Sequence, residues 1–239
     1  LFQSLVDGMV SLLNWFYHLT VMIDLPNYGL AIIFFTVLVK LVLYPLTHKQ
    51  MQSMIAMQQL APKVKEIQEK YKAKDPQKMQ QKIMELYKEH KINPLSGCLP
   101  LLIQMPILIA LYRALYKFKY VESAHAQFLW VNSLSAIGIH QATDLILPIL
   151  SGLTTYFQSK MVSNVNDPTQ KTMLLVMPFF IIWISTTVPA GLVLYWVAFN
   201  VLSIGQQYLV NRQTRGLKEA LEKSGSNRKV GKIGKRGGK

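Results

Sequence analysis

Acidic side chains are few in this sequence and absent from the middle of its apolar stretches. Twelve Asp and Glu stand against twenty-six Lys and Arg over 239 residues, a formal net charge of +14. The acids lie in polar segments or at their borders, with Asp144 at the edge of one apolar block. That excludes the carboxylate relay which a proton-coupled carrier sets against an intramembrane cation. It also excludes paired carboxylates for acid–base catalysis. Cysteine is reduced to Cys98, so there is no internal disulfide and no thiolate cage for a metal. The five histidines, at 18, 48, 90, 125 and 140, are scattered without paired-ligand spacing. There is no HExxH and no GxSxG, and Gly225 with Gly231-Lys232 has the wrong spacing for a phosphate loop. Strict apolar/polar alternation is missing as well, and the apolar blocks are too long for strands. No enzyme, metal or cofactor is expected.

What the chain does have is apolar residues in blocks. They make up 51% of it and concentrate at 28–47, 97–118, 144–161, 172–187 and 191–211. At about 1.5 Å per residue, some 20 residues cross a hydrocarbon core of roughly 30 Å. The block at 172–187 is short and has to stand untilted or in a thin bilayer. The expected fold is therefore an all-α integral membrane protein with five transmembrane helices.

The distribution of charge sets the expected orientation. Residues 1–27 and 120–143 contain no Lys or Arg, whereas 48–96 and 212–239 contain ten each. Basic and bare segments alternate across the five spans, as the positive-inside rule requires. The N-terminus is thus expected outside and the C-terminus in the cytoplasm. This placement argues against DNA as the reason for the net charge. Arg113, Lys117 and Lys119, at the outer end of the second span, break the pattern and are expected to snorkel outwards.

Between the spans, residues 1–27 read as an external amphipathic helix and turn, with no cleavable signal pattern. Leu5, Met9, Leu12 and Phe16 share one face, and Ser4, Asp7, Ser11, Asn14 and His18 lie largely on the other. Residues 48–96 read as a cytoplasmic helical hairpin whose second arm starts at Asp75-Pro76, a cap followed by proline at the first helical position. A solvated connector and a docking element are both open readings of it. The external connector 119–143 holds Phe128-Leu129-Trp130, expected to act as an interfacial anchor. A cytoplasmic loop at 162–171, an external turn at 188–190 and a basic cytoplasmic tail at 212–239 complete the chain. The tail is expected to be disordered beyond about Lys223.

Lys40 is the exceptional residue. From Tyr28 to Leu46 only it and Thr36 are polar side chains other than tyrosine. A lysine within a span costs about 2.5–3.5 kcal/mol on insertion scales. It lies about 9 Å from Leu46 and about 18 Å from Tyr28 along the helix. Snorkelling is one reading. The other is that it faces protein or water, because Thr36, Tyr44 and Thr47 fall on its side at i−4, i+4 and i+7. Further polar stripes run through Ser151, Thr155 and Gln158, and through Trp196, Asn200, Ser203 and Gln207, while Gln104 is the mid-span polar group of the second block. A small-solute transporter or channel would carry such stripes too. It would be expected to show internal repeats, and none is found.

One stretch is more specific: Asn93-Pro94-Leu95, Gly97-Cys98, Pro100, Leu102-Ile103-Gln104, Pro106-Ile107 and Ala110-Leu111-Tyr112. With Tyr44-Pro45-Leu46-Thr47 and the run from Pro189 to Trp196 followed by Asn200, it resembles the YidC/Oxa1/Alb3 family of membrane protein insertases, bacterial YidC type. The resemblance covers nearly the whole chain. It implies a multi-pass protein of the bacterial inner (plasma) membrane that acts as an insertase and chaperone. It also implies a hydrophilic groove open to cytoplasm and lipid and closed to the outside, lined by Thr36, Lys40, Gln104, Ser151, Thr155, Gln158, Trp196, Asn200 and Ser203. The partners it implies are nascent membrane proteins and lipids, the ribosome through the basic tail, and the Sec translocon in an additional role. For the tail, anchoring to anionic lipid is the rival reading. Lysine replaces the arginine usual in bacterial relatives at position 40, keeping a cation and losing the bidentate fork. The long external domain of Gram-negative members does not lie within these residues.

Overall fold

The computed structural model describes residues 2–71, 74–90, 99–118, 120, 123–162 and 168–233. Seven α-helices account for most of them: α1 Phe2–Met22, α2 Tyr28–Tyr71, α3 Pro76–Glu89, α4 Leu99–Lys117, α5 Ile146–Val162, α6 Pro168–Ser185 and α7 Ala190–Ile233. Among the described residues there is no strand, only isolated bridges joining Phe128 to Val131 and Ile137 to Pro189. The motif residues Asn93 to Cys98 lie outside the described residues. Two helices, α2 and the Ala190–Gln213 part of α7, are long and apolar enough to cross a membrane, and α6 holds a shorter apolar run.

α2 is the axis of the molecule. It runs unbroken for 44 residues through Pro45 and Pro62, so the first apolar block and the first arm of the hairpin are one helix. The expected boundary at Thr47 divides span from hairpin arm by polarity, and the helix crosses it. Each proline removes a single intrahelical donor, and the Gln-, Met- and Lys-rich run after Thr47 favours helix strongly enough to carry the turn across. α3 then folds back on α2. Asp75 caps it by accepting from the Lys78 amide at 2.9 Å, with Pro76 at its first position.

α1 packs against α2 and α4, burying Val6, Met9, Leu13, Phe16 and Thr20. This corrects the expected face, because Leu5 and Leu12 are exposed beside Trp15. The helix has apolar side chains over more than half its circumference, so the partner helices decide which of them are covered. The bases at the end of α4 stay exposed and also touch α1. Lys117 Nζ lies 3.9 Å from Asp7 Oδ1, and the Arg113 guanidinium sits 5.2 Å from the centre of the Phe2 ring. Lys119 lies outside the described residues.

The Tyr28 end of the bundle is closed by aromatic packing. Tyr17 stacks on Tyr28 at 4.0 Å between ring centres, and Phe118 and Tyr120 meet Tyr28 edge-on. The space among Leu13, Tyr28, Ile32, Leu115, Phe118 and Tyr120 leaves no room for a water molecule. Burial holds the Tyr120 phenol well above its usual range. Asn27 caps α2, accepting from the Gly29 amide at 2.8 Å, and its own amide reaches Gln127 O at 2.7 Å. Phe128 then lies directly on Gly29, where a Cβ would come within 2.2 Å of the ring. Phe128 and Trp130 thus pack against the core and are partly buried there. A turn with Leu129 at φ 52° points them inward and leaves Leu129 as the exposed tip.

On the other side, α5 packs between α6 and α7. Gly152 lets α6 approach, since a Cβ there would lie 2.4 Å from Ile182 Cγ1. The opposite face of α6, including Phe179 and Trp183, is exposed. The turn into α7 is pinned by the Ala190 and Gly191 amides, which donate to Ala136 O and Leu134 O at 2.9 and 2.8 Å. α7 continues as helix to Ile233, past the point where disorder was expected. The helix-favouring run Leu217 to Lys223 extends an existing helix, which needs no new nucleus.

Candidate functional site

Lys40 comes off the middle of α2 and meets α7. It is 8% exposed. Its Nζ donates to Ser203 Oγ at 2.5 Å, and that hydroxyl donates onward to Phe199 O at 2.7 Å. The Phe199 ring lies beneath the ammonium, 3.9 Å from Nζ to ring centre. Both contacts are neutral. Among the described residues the ion pairs are Lys65–Glu69, Lys82–Glu85 and Lys117–Asp7, so Lys40 has no carboxylate partner. An ammonium offers three donors, and a hydroxyl and a ring face compensate it only in part.

The other polar residues read from the sequence divide into separate groups. Asn200 and Trp196, on α7, converge on α5: Asn200 Nδ2 donates to Thr155 Oγ1 at 2.9 Å and Thr154 Oγ1 at 3.2 Å, and Trp196 Nε1 donates to Thr155 Oγ1 at 3.1 Å. Since Asn200 and Ser203 lie three residues apart on α7, this cluster adjoins Lys40 along one helix. Gln104, on α4, donates to the Tyr195 hydroxyl at 3.0 Å. Thr36 is fully buried and turns its hydroxyl back on Ile32 O at 2.7 Å. Ser151 pairs with Ser185 at 2.9 Å and so joins α5 to α6 rather than to Lys40. Gln158 is half-buried, one turn beyond Thr155 on α5.

Phe199, Thr154 and Ser185 were not singled out from the sequence, and Tyr195 entered only as part of the motif run ending at Trp196. Thr154 sits beside Thr155 and could have been found as a second acceptor. A phenyl face under an ammonium has no sequence signature. Beyond Lys40 the α2–α7 seam stays polar, with Gln206 Nε2 donating to Thr47 Oγ1 at 2.9 Å. A depression of about 570 Å³, lined by Phe157, Lys160, Met161 and Ile204, opens at the same end between α5 and α7.

The arrangement can hold a cation among neutral polar groups and offer it to an anion that displaces a hydroxyl.

The family described as 60Kd inner membrane protein matches residues 18–218. Relatives named membrane protein insertase YidC include those of Geobacter sulfurreducens (42% identical over 212 residues, 88% of this chain and 38% of the relative) and Leptospira interrogans (43% over 229 residues, 91% and 35%). That of Geobacter sp. strain M21 is 46% identical over 212 residues, 88% and 37%. Among solved structures, one titled "Active YidC insertase crystal structure with the first transmembrane domain resolved" superposes with a TM-score of 0.68 at 32% identity. The match covers 87% of this chain and 46% of that one. The chain therefore spans a little over a third of the length of these relatives. With its all-helical architecture and its order of elements, it belongs to the 60Kd inner membrane protein family, that of the YidC membrane protein insertases.

Proposed function

We propose that this chain is the insertion-performing part of a bacterial inner-membrane insertase, receiving the polar tail of a new membrane protein along the α2–α7 seam and releasing its apolar segment into lipid. The observation that carries this reading is Lys40, nearly buried, contacted by Ser203 and Phe199 and by no carboxylate. A buried cation without a resident anion attracts acidic groups of an entering tail more strongly than it would in bulk water, because the effective dielectric is lower. Thr155, Trp196, Asn200 and Gln104, with Gln158 and Thr36, would line the hydrophilic groove as it opens, the client's polar groups replacing the hydrogen bonds these side chains now make with one another. The closed aromatic packing around Tyr28 supports a groove that opens away from that end. Transfer of the apolar segment into hydrocarbon drives the step, so no nucleotide is required.

In this reading five spans cross the membrane, α1 lies on the outer surface, the N-terminus is outside, and the α2–α3 hairpin and basic tail are cytoplasmic. The tail contacts the ribosome by counterion release, and the Sec translocon is an additional partner. The test is the purified chain alone in liposomes, scored for insertion of a single-spanning client with an acidic tail. Insertion without nucleotide is the expected result. Solute uptake with no insertion would favour a transporter instead.

A further inference from the structure

Fifteen ångströms or so along α2 from Lys40, Gln50 of α2 is a buried amide, as is Gln207 of α7. Gln50 is 4% exposed and Gln207 1% exposed. The Gln50 Nε2 donor has no partner among the described residues, nor has the Gln207 Oε1 acceptor, although Gln207 Nε2 donates to Asn211 Oδ1 at 3.0 Å. Both residues flank the Thr47–Gln206 pair that ties α2 to α7, Gln50 three residues after Thr47 and Gln207 next to Gln206. A buried amide group left unbonded destabilises the fold, and His48 Nδ1, two residues before Gln50, is likewise without a partner.

We propose that Gln50 and Gln207 form a binding site for the main chain of an extended polypeptide tail on its way to Lys40. One free donor and one free acceptor match the acceptor and donor of a peptide unit, which every residue but proline presents. Such a site takes a tail regardless of its side chains, as an insertase with varied cargo needs. Lys40, deeper in the seam, then discriminates by charge. Gln50 sits past Leu46 and Thr47, where the apolar part of α2 gives way to its polar arm, so a tail entering from that side meets the amides first. This inference rests on the insertase reading.

The test compares Gln50→Leu/Gln207→Leu with Lys40→Gln and the unaltered chain in liposomes, using two clients that differ only in an acidic or a neutral tail. Insertion by the unaltered chain establishes the insertase reading separately. Its absence refutes both. The double variant is expected to insert both clients about three- to tenfold more slowly, the range set by one or two net hydrogen bonds, with an unchanged or higher melting temperature. Lys40→Gln is expected to slow the acidic client selectively. Wild-type rates in the double variant would overturn the proposal, leaving the amides as seam packing bridged by water alone. In a Cys98→Ser background, Gln50→Cys is expected to form disulfides with cysteines placed at successive tail positions. No crosslink while insertion proceeds would likewise overturn it.

Discussion

The Lys40 ammonium donates to the Ser203 hydroxyl across the α2–α7 seam, and the same hydroxyl donates its own hydrogen bond to the Phe199 carbonyl. The hydroxyl holds the lysine in place without neutralising it. Ser203→Asp gives Lys40 a permanent anion, and the acidic-tailed client is expected to insert at least about tenfold more slowly, equivalent to losing one charge-assisted hydrogen bond of about 1.5–3 kcal/mol. Ser203→Ala should leave insertion within about threefold of normal while lowering stability, because Lys40 loses the hydroxyl it donates to. Insertion rate and melting temperature measured together separate the two effects.

Substitutions at position 40 divide charge from shape. Lys40→Arg is expected to retain insertion, Lys40→Gln to reduce it for acidic tails, and Lys40→Glu to abolish it for those tails. Full activity of all three would remove Lys40 from the mechanism.

Close approach at Gly152 predicts a contrast between two glycines. Gly152→Ala places a methyl group 2.4 Å from Ile182 Cγ1 and 3.0 Å from Pro178 O. The expected loss is about 1–3 kcal/mol from overpacking between α5 and α6. Gly205→Ala meets nothing within 4 Å and is expected to gain up to about 1 kcal/mol of helix propensity. Thermal unfolding in detergent checks both.

Removing residues 212–239 deletes ten of the basic side chains. Ribosome binding is expected to fall and to lose most of its dependence on salt, measured by co-sedimentation over a range of salt concentrations. Salt-sensitive binding that survives the deletion would assign the tail to the lipid surface.

The helical character of the chain was legible because apolar blocks near twenty residues long admit few other structures. Lys40, Asn200 and Ser203 could be named from their spacing, since period 3.6 assigns residues to a face. Spacing does not say which helix that face meets. The pairing of Lys40 with Ser203 rather than Gln104, and of Ser151 with Ser185, therefore had to come from packing. The buried side of α1 was misplaced for a similar reason, Val6 and Leu13 being as apolar as Leu5 and Leu12. The change from apolar to polar residues after Thr47 marks where an apolar block ends, not where a helix does, and α2 runs on through Pro45 because one lost donor weighs less than the surrounding propensity. The inward turn of Phe128 and Trp130 depends on Leu129 adopting a positive φ and on the bare backbone of Gly29, a coincidence of distant residues that no local pattern records.

The uninterrupted course of α2 joins the polar hairpin arm and the lysine into one lever about 66 Å long. A weight set against α3 bears on the same rod that carries Lys40, and Pro45 and Pro62 are the two joints where that rod lacks a rung of its own bonding. The surface that α3 packs on and the lysine that meets α7 therefore belong to a single helix.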